Sequence, residues 1–296
     1  MTPTPTIGFI GVGLMGHGIV KNLVQKGQCV RFLDHPGNQP VDDLVTLGGV
    51  GAGSIADVMA GADVLFICVT GSPQVNAIVF DAGGVLENLK AGQTVCDLST
   101  AMPDETVKVG AAIEAAGGRF LDTPMTRTPK EAEDGRLNIM AGGAAEVLAE
   151  VRPLLDCFAE NVFHAGAVGS GIAMKLLHNF ISLGYSALMA EAVAAARLGG
   201  VDMQTFLDVM ETGGGRGVVL DRLKPFIATG DVGAFQFSIA NSAKDMGYYV
   251  DMASKLGAEA DCADAVATLY GRAVRDGHGG KPVPVLMDVL GDGDGD

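Results

Sequence analysis

Lys175 and Asn179 stand four residues apart within 169–179 (GSGIAMKLLHN), a glycine-rich opening followed by a helical pattern. That spacing puts both side chains on one helix face, close enough to work on one small molecule. A lysine can exchange a proton with a substrate hydroxyl when burial and a nearby cation lower its pKa. The amide beside it can orient the lysine and hydrogen-bond the same oxygen. A second group of residues suits a dinucleotide. The short apolar run Thr6–Ile10 leads into Gly11-Val12-Gly13-Leu14-Met15-Gly16, then a helical pattern, then the strand Cys29–Leu33 with Asp34 at its end. Strand, G-x-G-x-x-G, helix, strand and acid is the order a dinucleotide fold requires. The glycines allow a tight turn and close approach to a pyrophosphate at the helix N-terminus. Asp34 suits the adenosine ribose hydroxyls and repels a 2′-phosphate, and no Arg follows it in His35-Pro36-Gly37. NAD is therefore expected in preference to NADP.

These residues need elements to hold them. After Asn179 the helical pattern runs on with no proline before Gly199, predicting a helix from about 172 to 198. At 1.5 Å per residue it spans roughly 40 Å, too long for one small domain. It is expected to join two domains, with Lys175 and Asn179 where a cleft opens. Upstream the βα rhythm continues. Residues 54–60 read as a short helix and 63–69 (DVLFICV) as a buried parallel strand ending at Thr70. A strand over 94–98 ends at Ser99 and Thr100, which read equally as caps of a helix starting near Pro103 and as ligand contacts. Strands over 120–122, 137–141 and 162–164 complete an α/β domain, 1–165. Strand signals then nearly vanish. Residues 166–296 read as an all-α domain with helices over 201–211, 220–227, 237–256 and 261–275. Their Ala- and Met-rich faces suit burial in a partner subunit. The stretch 213–217 (GGGRG) reads as a loop or hinge from which Arg216 could face the cleft.

Composition narrows the function classes. The chain has 296 residues, 48% hydrophobic and 19% charged, a globular balance. Its net charge of −15 speaks against nucleic acid, since phosphate neutralisation needs clustered Lys and Arg. Part of that charge is the tail GDGDGD, expected to be solvated and disordered. Five scattered cysteines form no C-x-x-C pair and fit a reduced, cytoplasmic protein. No basic leader precedes the first strand, and no apolar run reaches ~18 residues, so neither export nor membrane insertion is expected. No metal site is expected.

The motifs GFIGVGLMG, DLSTAMP (97–103), DTPMTRTPKEAEDGRL (122–137), GSGIAMKLLHN (169–179) and AKDMGYYVDMA (243–253) resemble those of the β-hydroxyacid dehydrogenase family, which includes 3-hydroxyisobutyrate dehydrogenases and tartronate semialdehyde reductases. The resemblance covers nearly the whole chain. It implies a Rossmann domain, a long interdomain helix and a helical domain supporting a homodimer or homotetramer. By position it implies Lys175 as the catalytic lysine, Asn179 as its companion, Ser99 and Thr100 near nicotinamide and substrate, and Lys244 with Asp245 closing over the cofactor. The implied reaction is NAD-dependent interconversion of a short anionic 3-hydroxy acid and its semialdehyde.

The chain departs from the family where Ser-Gly-Gly usually binds the substrate carboxylate: here stand Thr126, Arg127 and Thr128. An Arg-Thr pair there is similar to the sulfolactaldehyde reductase branch. A guanidinium is a rigid fork suited to carboxylate, sulfonate or phosphate. The bland alternative is a surface salt bridge. A 4-hydroxybutyrate dehydrogenase-like activity and a non-catalytic NAD-binding module are the other readings. Lys-x-x-His-Asn also resembles 6-phosphogluconate dehydrogenases, which are longer, and His178 is expected to pack beside the site. Imine reductases share the architecture but usually lack the lysine.

Overall fold

The computed structural model describes residues 5–291, so residues 1–4 and the acidic tail from 292 onward lie outside it. Contacts divide the chain into two compact units, Met1–Lys175 and Leu176–Asp296.

The first unit begins β1 (Thr6–Ile10), α1 (Gly16–Gln25), β2 (Cys29–Leu33), α2 (Asp42–Thr46), β3 (Val50–Ala52), α3 (Ile55–Met59) and β4 (Val64–Ile67). It continues α4 (Ser72–Phe80), α5 (Val85–Asn88), β5 (Thr94–Asp97), α6 (Pro103–Ala115) and β6 (Arg119–Asp122). The strands from β1 to β6 are parallel, in the spatial order β3-β2-β1-β4-β5-β6. β4 and β5 are buried throughout; the unbroken apolar run of β4 suits a strand covered on both faces, while β5 ends in the buried Asp97. Alternate side chains feed two cores: Phe9 and Phe66 pack with Ile19, Leu23 and Phe158, while Ile10, Leu65 and Ile67 pack with Val95 and Val109. Because the strands run in register, Ile10, Ile67, Asp97 and Asp122 end side by side. Every candidate loop of this unit thus leaves one sheet edge.

Beyond Asp122 the parallel rhythm stops. β7 (Met125–Thr126), α7 (Pro129–Glu133) and β8 (Leu137–Gly142) follow, and β8 runs antiparallel to β6 and β7. The five-residue α7 is too short a crossover to bring the chain back parallel, so it doubles back. α8 (Ala145–Leu155) then allows β9 (Ala159–Gly166) to pair parallel with β8.

α9 (Ser170–Leu198) is a single 29-residue helix, roughly 43 Å long. The second unit adds α10 (Met203–Thr212), α11 (Val218–Thr229), α12 (Ile239–Leu256), α13 (Asp261–Ala273) and α14 (Leu286–Gly291). Asp202 and Ser238 cap α10 and α12 by accepting the amide N–H groups of Thr205 and Asn241. Leu183, Val193, Leu220, Phe226, Met246, Tyr270 and Leu286 form its core. Among the described residues no helix is long and apolar enough to cross a membrane.

Candidate active site

The glycines between β1 and α1 divide by what confines them. Gly11 holds φ +102°, and a Cβ there would stand 2.1 Å from the Cys68 carbonyl oxygen. At Gly16 it would stand 2.0 Å from the Gly11 oxygen, so both are glycine because backbone packs on backbone. A Cβ on Gly13 would meet nothing within 4 Å. Protein packing does not explain glycine there, whereas a pyrophosphate lying on the loop does. The N-cap residue of α1, Met15, offers no capping side chain, and the first turn holds no acid, leaving the positive end of the helix for an anion. Leu14 is exposed beside it, and Asp34 is exposed at the end of β2. The loop fits the dinucleotide.

At the ends of β5 and β6 lie two buried carboxylates. Asp97 is 2% exposed and accepts the Ser99 N–H at 2.9 Å. Ser99, 3% exposed, accepts the Val69 N–H at 3.0 Å, and Ser72 accepts the Met102 N–H at 2.8 Å. These bonds staple the loop after β4, which carries Thr70, to the loop after β5, which carries Thr100. The N-cap residue of α6 is Met102, which makes no side-chain cap, and the Ser99 hydroxyl is turned instead to Val69 in the loop after β4. Burial, with the neighbouring Asp122 charge added, raises the Asp97 pKa to about 6 against the opposing Ser99 bonds. Asp122, its register partner, is likewise raised by burial.

The segment after Asp122 carries the departure from the family pattern. Thr126 is buried and accepts a 3.3 Å bond from Asn138. Arg127 holds φ +85°, the sole non-glycine residue with positive φ among the described residues. Its guanidinium pairs with Glu160 and donates to the Arg136 carbonyl, so the surface ion pair is the arrangement formed here. Thr128 opens α7 in a capping box with Glu131. α7 is tied to the dinucleotide helix: Glu133 meets His17 at 2.9 Å and Lys21 at 2.7 Å, and Asp43 meets His17 at 3.1 Å. Burial alone would lower the His17 pKa, but the two carboxylates outweigh it and the imidazole is raised.

α9 carries Lys175, half-buried, and Asn179, 5% exposed. The Asn179 amide donates to Asp245 Oδ2 at 2.6 Å, and its oxygen lies 3.1 Å from His178 Nδ1. Asp245 Oδ1 is 3.1 Å from the Lys244 ammonium, which also stands 5.5 Å over the Tyr248 ring. The expected pair of Lys244 and Asp245 is thus one network with Asn179. His178 touches that network, while Arg216 is exposed on the 213–217 loop.

Sequence reading missed Asp97 and Asp122 as buried acids, Glu160 as the partner of Arg127, and Asp245 as the anchor of Asn179. An acid closing a short strand was a usable signal for the first two. The Glu160 and Asp245 partnerships had none, because they join residues 33 and 66 positions apart.

A sheet with a dinucleotide loop at its carboxyl edge, followed by helices bearing a lysine–amide pair, defines a nicotinamide-dependent oxidoreductase acting on a hydroxyl-bearing carbon. Residues 6–166 match the family described as the NAD binding domain of 6-phosphogluconate dehydrogenase. Residues 169–287 match the family described as NAD-binding of NADP-dependent 3-hydroxyisobutyrate dehydrogenase. The chain belongs to the β-hydroxyacid dehydrogenase family. It is 31% identical over 286 residues to the 3-sulfolactaldehyde reductase of Escherichia coli, covering 96% of this chain and 95% of that one. It is 28% identical to the NAD-dependent L-serine dehydrogenase of Pseudomonas aeruginosa, covering 96% and 97%. The solved Mycobacterium tuberculosis 3-hydroxyisobutyrate dehydrogenase with L-serine superposes with a TM-score of 0.85 at 27% identity, covering 97% and 99%.

Proposed function

We propose that this enzyme uses NAD to interconvert a short anionic 3-hydroxy acid and its semialdehyde, with Lys175 as general acid and base. The observation that carries this reading is the pairing on α9, where Asn179 is buried and held by Asp245 one turn from Lys175. Gly11, Gly13, Leu14, Met15 and Gly16 would hold the pyrophosphate, and Asp34 the ribose hydroxyls. Thr70 and Thr100 would line the nicotinamide half, with Ser99 fixing the loop that carries Thr100. When bound, the nicotinamide ring supplies the hydride acceptor or donor. Lys175 takes the hydroxyl proton during oxidation and returns it to the carbonyl oxygen during reduction, while Asn179 orients that oxygen.

The substrate anion is assigned to the loop of Thr126, Arg127 and Thr128. Arg127 and Glu160 are both partly exposed, and an ion pair of that kind contributes about 0–1 kcal/mol. A carboxylate or sulfonate that accepts both prongs of the guanidinium can therefore displace Glu160. The name of the E. coli relative supports the sulfonate, and the 3-hydroxyisobutyrate dehydrogenases support the carboxylate. In the same reading, 1–165 is the NAD domain and 166–296 the substrate domain, assembled through the latter as a homodimer or homotetramer. The five free thiols among the described residues fit a cytoplasmic location.

The test is NAD-dependent oxidation of 3-hydroxyisobutyrate, glycerate, 4-hydroxybutyrate and 2,3-dihydroxypropanesulfonate by wild type and Arg127→Ala. One anion should turn over, with the variant losing mainly KM. Tight NAD binding without turnover of any of them would point instead to a non-catalytic dinucleotide module.

A further inference from the structure

Asp122 is 1% exposed and ends β6, four residues before Thr126 in the loop of Thr126, Arg127 and Thr128 assigned to the substrate anion. Its two carboxylate oxygens separate two tasks in one joint. Oδ1 accepts the Gly169 N–H at 2.8 Å, and Oδ2 accepts the Ile172 N–H at 2.8 Å. These are amide donors at the start of α9, which have no partner inside the helix. The carboxylate therefore caps α9 from another element, and its charge complements the positive end of the helix dipole. Backbone approaches it closely on two sides. A Cβ on Gly142 would stand 2.4 Å from Oδ1, and one on Gly171 would stand 2.8 Å from Oδ2 and 2.4 Å from the Met140 carbonyl oxygen. β8, β6 and the first turn of α9 thus close on one carboxylate. Lys175 leaves the helix three residues after Ile172, within a single turn of that anchor.

We propose that Asp122 is a positioning residue for the reaction: by fixing the first turn of α9 to the strand that opens the substrate loop, it sets where Lys175 meets the reacting oxygen. This rests on the reading of Lys175 as general acid and base. Substitution by Asn turns one accepting oxygen into a donor facing an N–H and removes the charge, so one of the two anchors is lost while the shape remains. A displacement of about 1 Å at the lysine is enough to lower turnover on the order of a hundredfold.

The experiment is a double-mutant cycle with Asp122→Asn in the wild-type and Lys175→Ala backgrounds, reading kcat, the KM for NAD and amide hydrogen exchange over 168–176. Asp122→Asn should lower kcat at least tenfold in the wild-type background and less than about threefold once Lys175 is gone, because effects exerted through one residue are not additive. The KM for NAD should stay within about twofold, and exchange should rise over 168–176 while β5 keeps its protection. Equal losses of kcat in both backgrounds, or a wild-type-like kcat in Asp122→Asn, would overturn the proposal. Should Asp122→Asn fail to fold, Asp122→Glu, which keeps the charge but moves the anchor, enters the same cycle with the same two outcomes. Wild-type turnover in Lys175→Ala alone would instead overturn the acid–base reading, leaving the exchange data to report on the anchor by itself.

Discussion

Arg127 combines a strained backbone with a side chain that Glu160 holds only weakly. Its φ of +85° disfavours any residue with a Cβ by roughly 1–2 kcal/mol. Arg127→Gly relieves that strain, loses some unfolded-state restriction, and should leave stability within about 1 kcal/mol of wild type. The same variant should raise the KM for the anionic substrate at least tenfold, because the guanidinium fork is gone. Denaturant midpoints and steady-state kinetics on one preparation check both halves. Glu160→Gln should move the KM the other way, since the competing carboxylate is removed. An unchanged KM in both variants would return Arg127 to the role of a surface ion pair.

Asp97 makes a separate demand at the same scale. Burial raises its pKa to about 6 in the folded chain, against about 3.9 unfolded. The folded state then binds the proton more tightly, so the protonated acid favours the fold below pH ~4, and that contribution is lost as pH rises through about 6. Relative to Asp97→Asn, wild type should lose on the order of 2–3 kcal/mol of stability between pH 4 and 7. Parallel pH profiles of the two unfolding midpoints would contradict the raised pKa.

Among elements, the loop between β1 and α1 offers the cleanest separation of fold from function. Gly16→Ala forces a Cβ to 2.0 Å from backbone and should destabilise the unit by several kcal/mol. Gly13→Ala meets no protein atom, so its Tm should stay within about 2 °C of wild type while NAD affinity falls at least tenfold. Thermal melts with and without NAD distinguish the two. The longer helices of the second unit, α9 and α1 were legible because their signals are local: apolar spacing marked α9 to within two residues of its observed start, and glycines marked the turn into α1, whereas α2, α4, α5, α7, α8 and α14 were not read. β3 and β7 were not legible, being two or three residues long and stabilised by neighbours rather than by their own pattern. The reversal at β8 was also hidden, since it depends on how short α7 turns out to be.

For the molecule as a whole, order along the chain was readable but pairing across it was not. The α/β unit followed by helices follows from alternating and then vanishing strand signals, and the candidate residues were recognisable by type and motif. What holds them was decided in three dimensions: Asp122 reaches forward 50 positions to Ile172, and Asn179 reaches 66 to Asp245. Buried carboxylates that anchor other groups leave little trace in a sequence beyond an acid in an apolar setting. The central claim is that Lys175, on the first turns of α9, exchanges the substrate proton while the dinucleotide rests elsewhere. The measurement that tests it most directly is kcat for the preferred hydroxy anion, together with the Kd for NAD, in Lys175→Ala. A fall in kcat of at least about a hundredfold with NAD affinity within about twofold is the predicted result. Turnover close to wild type would contradict it.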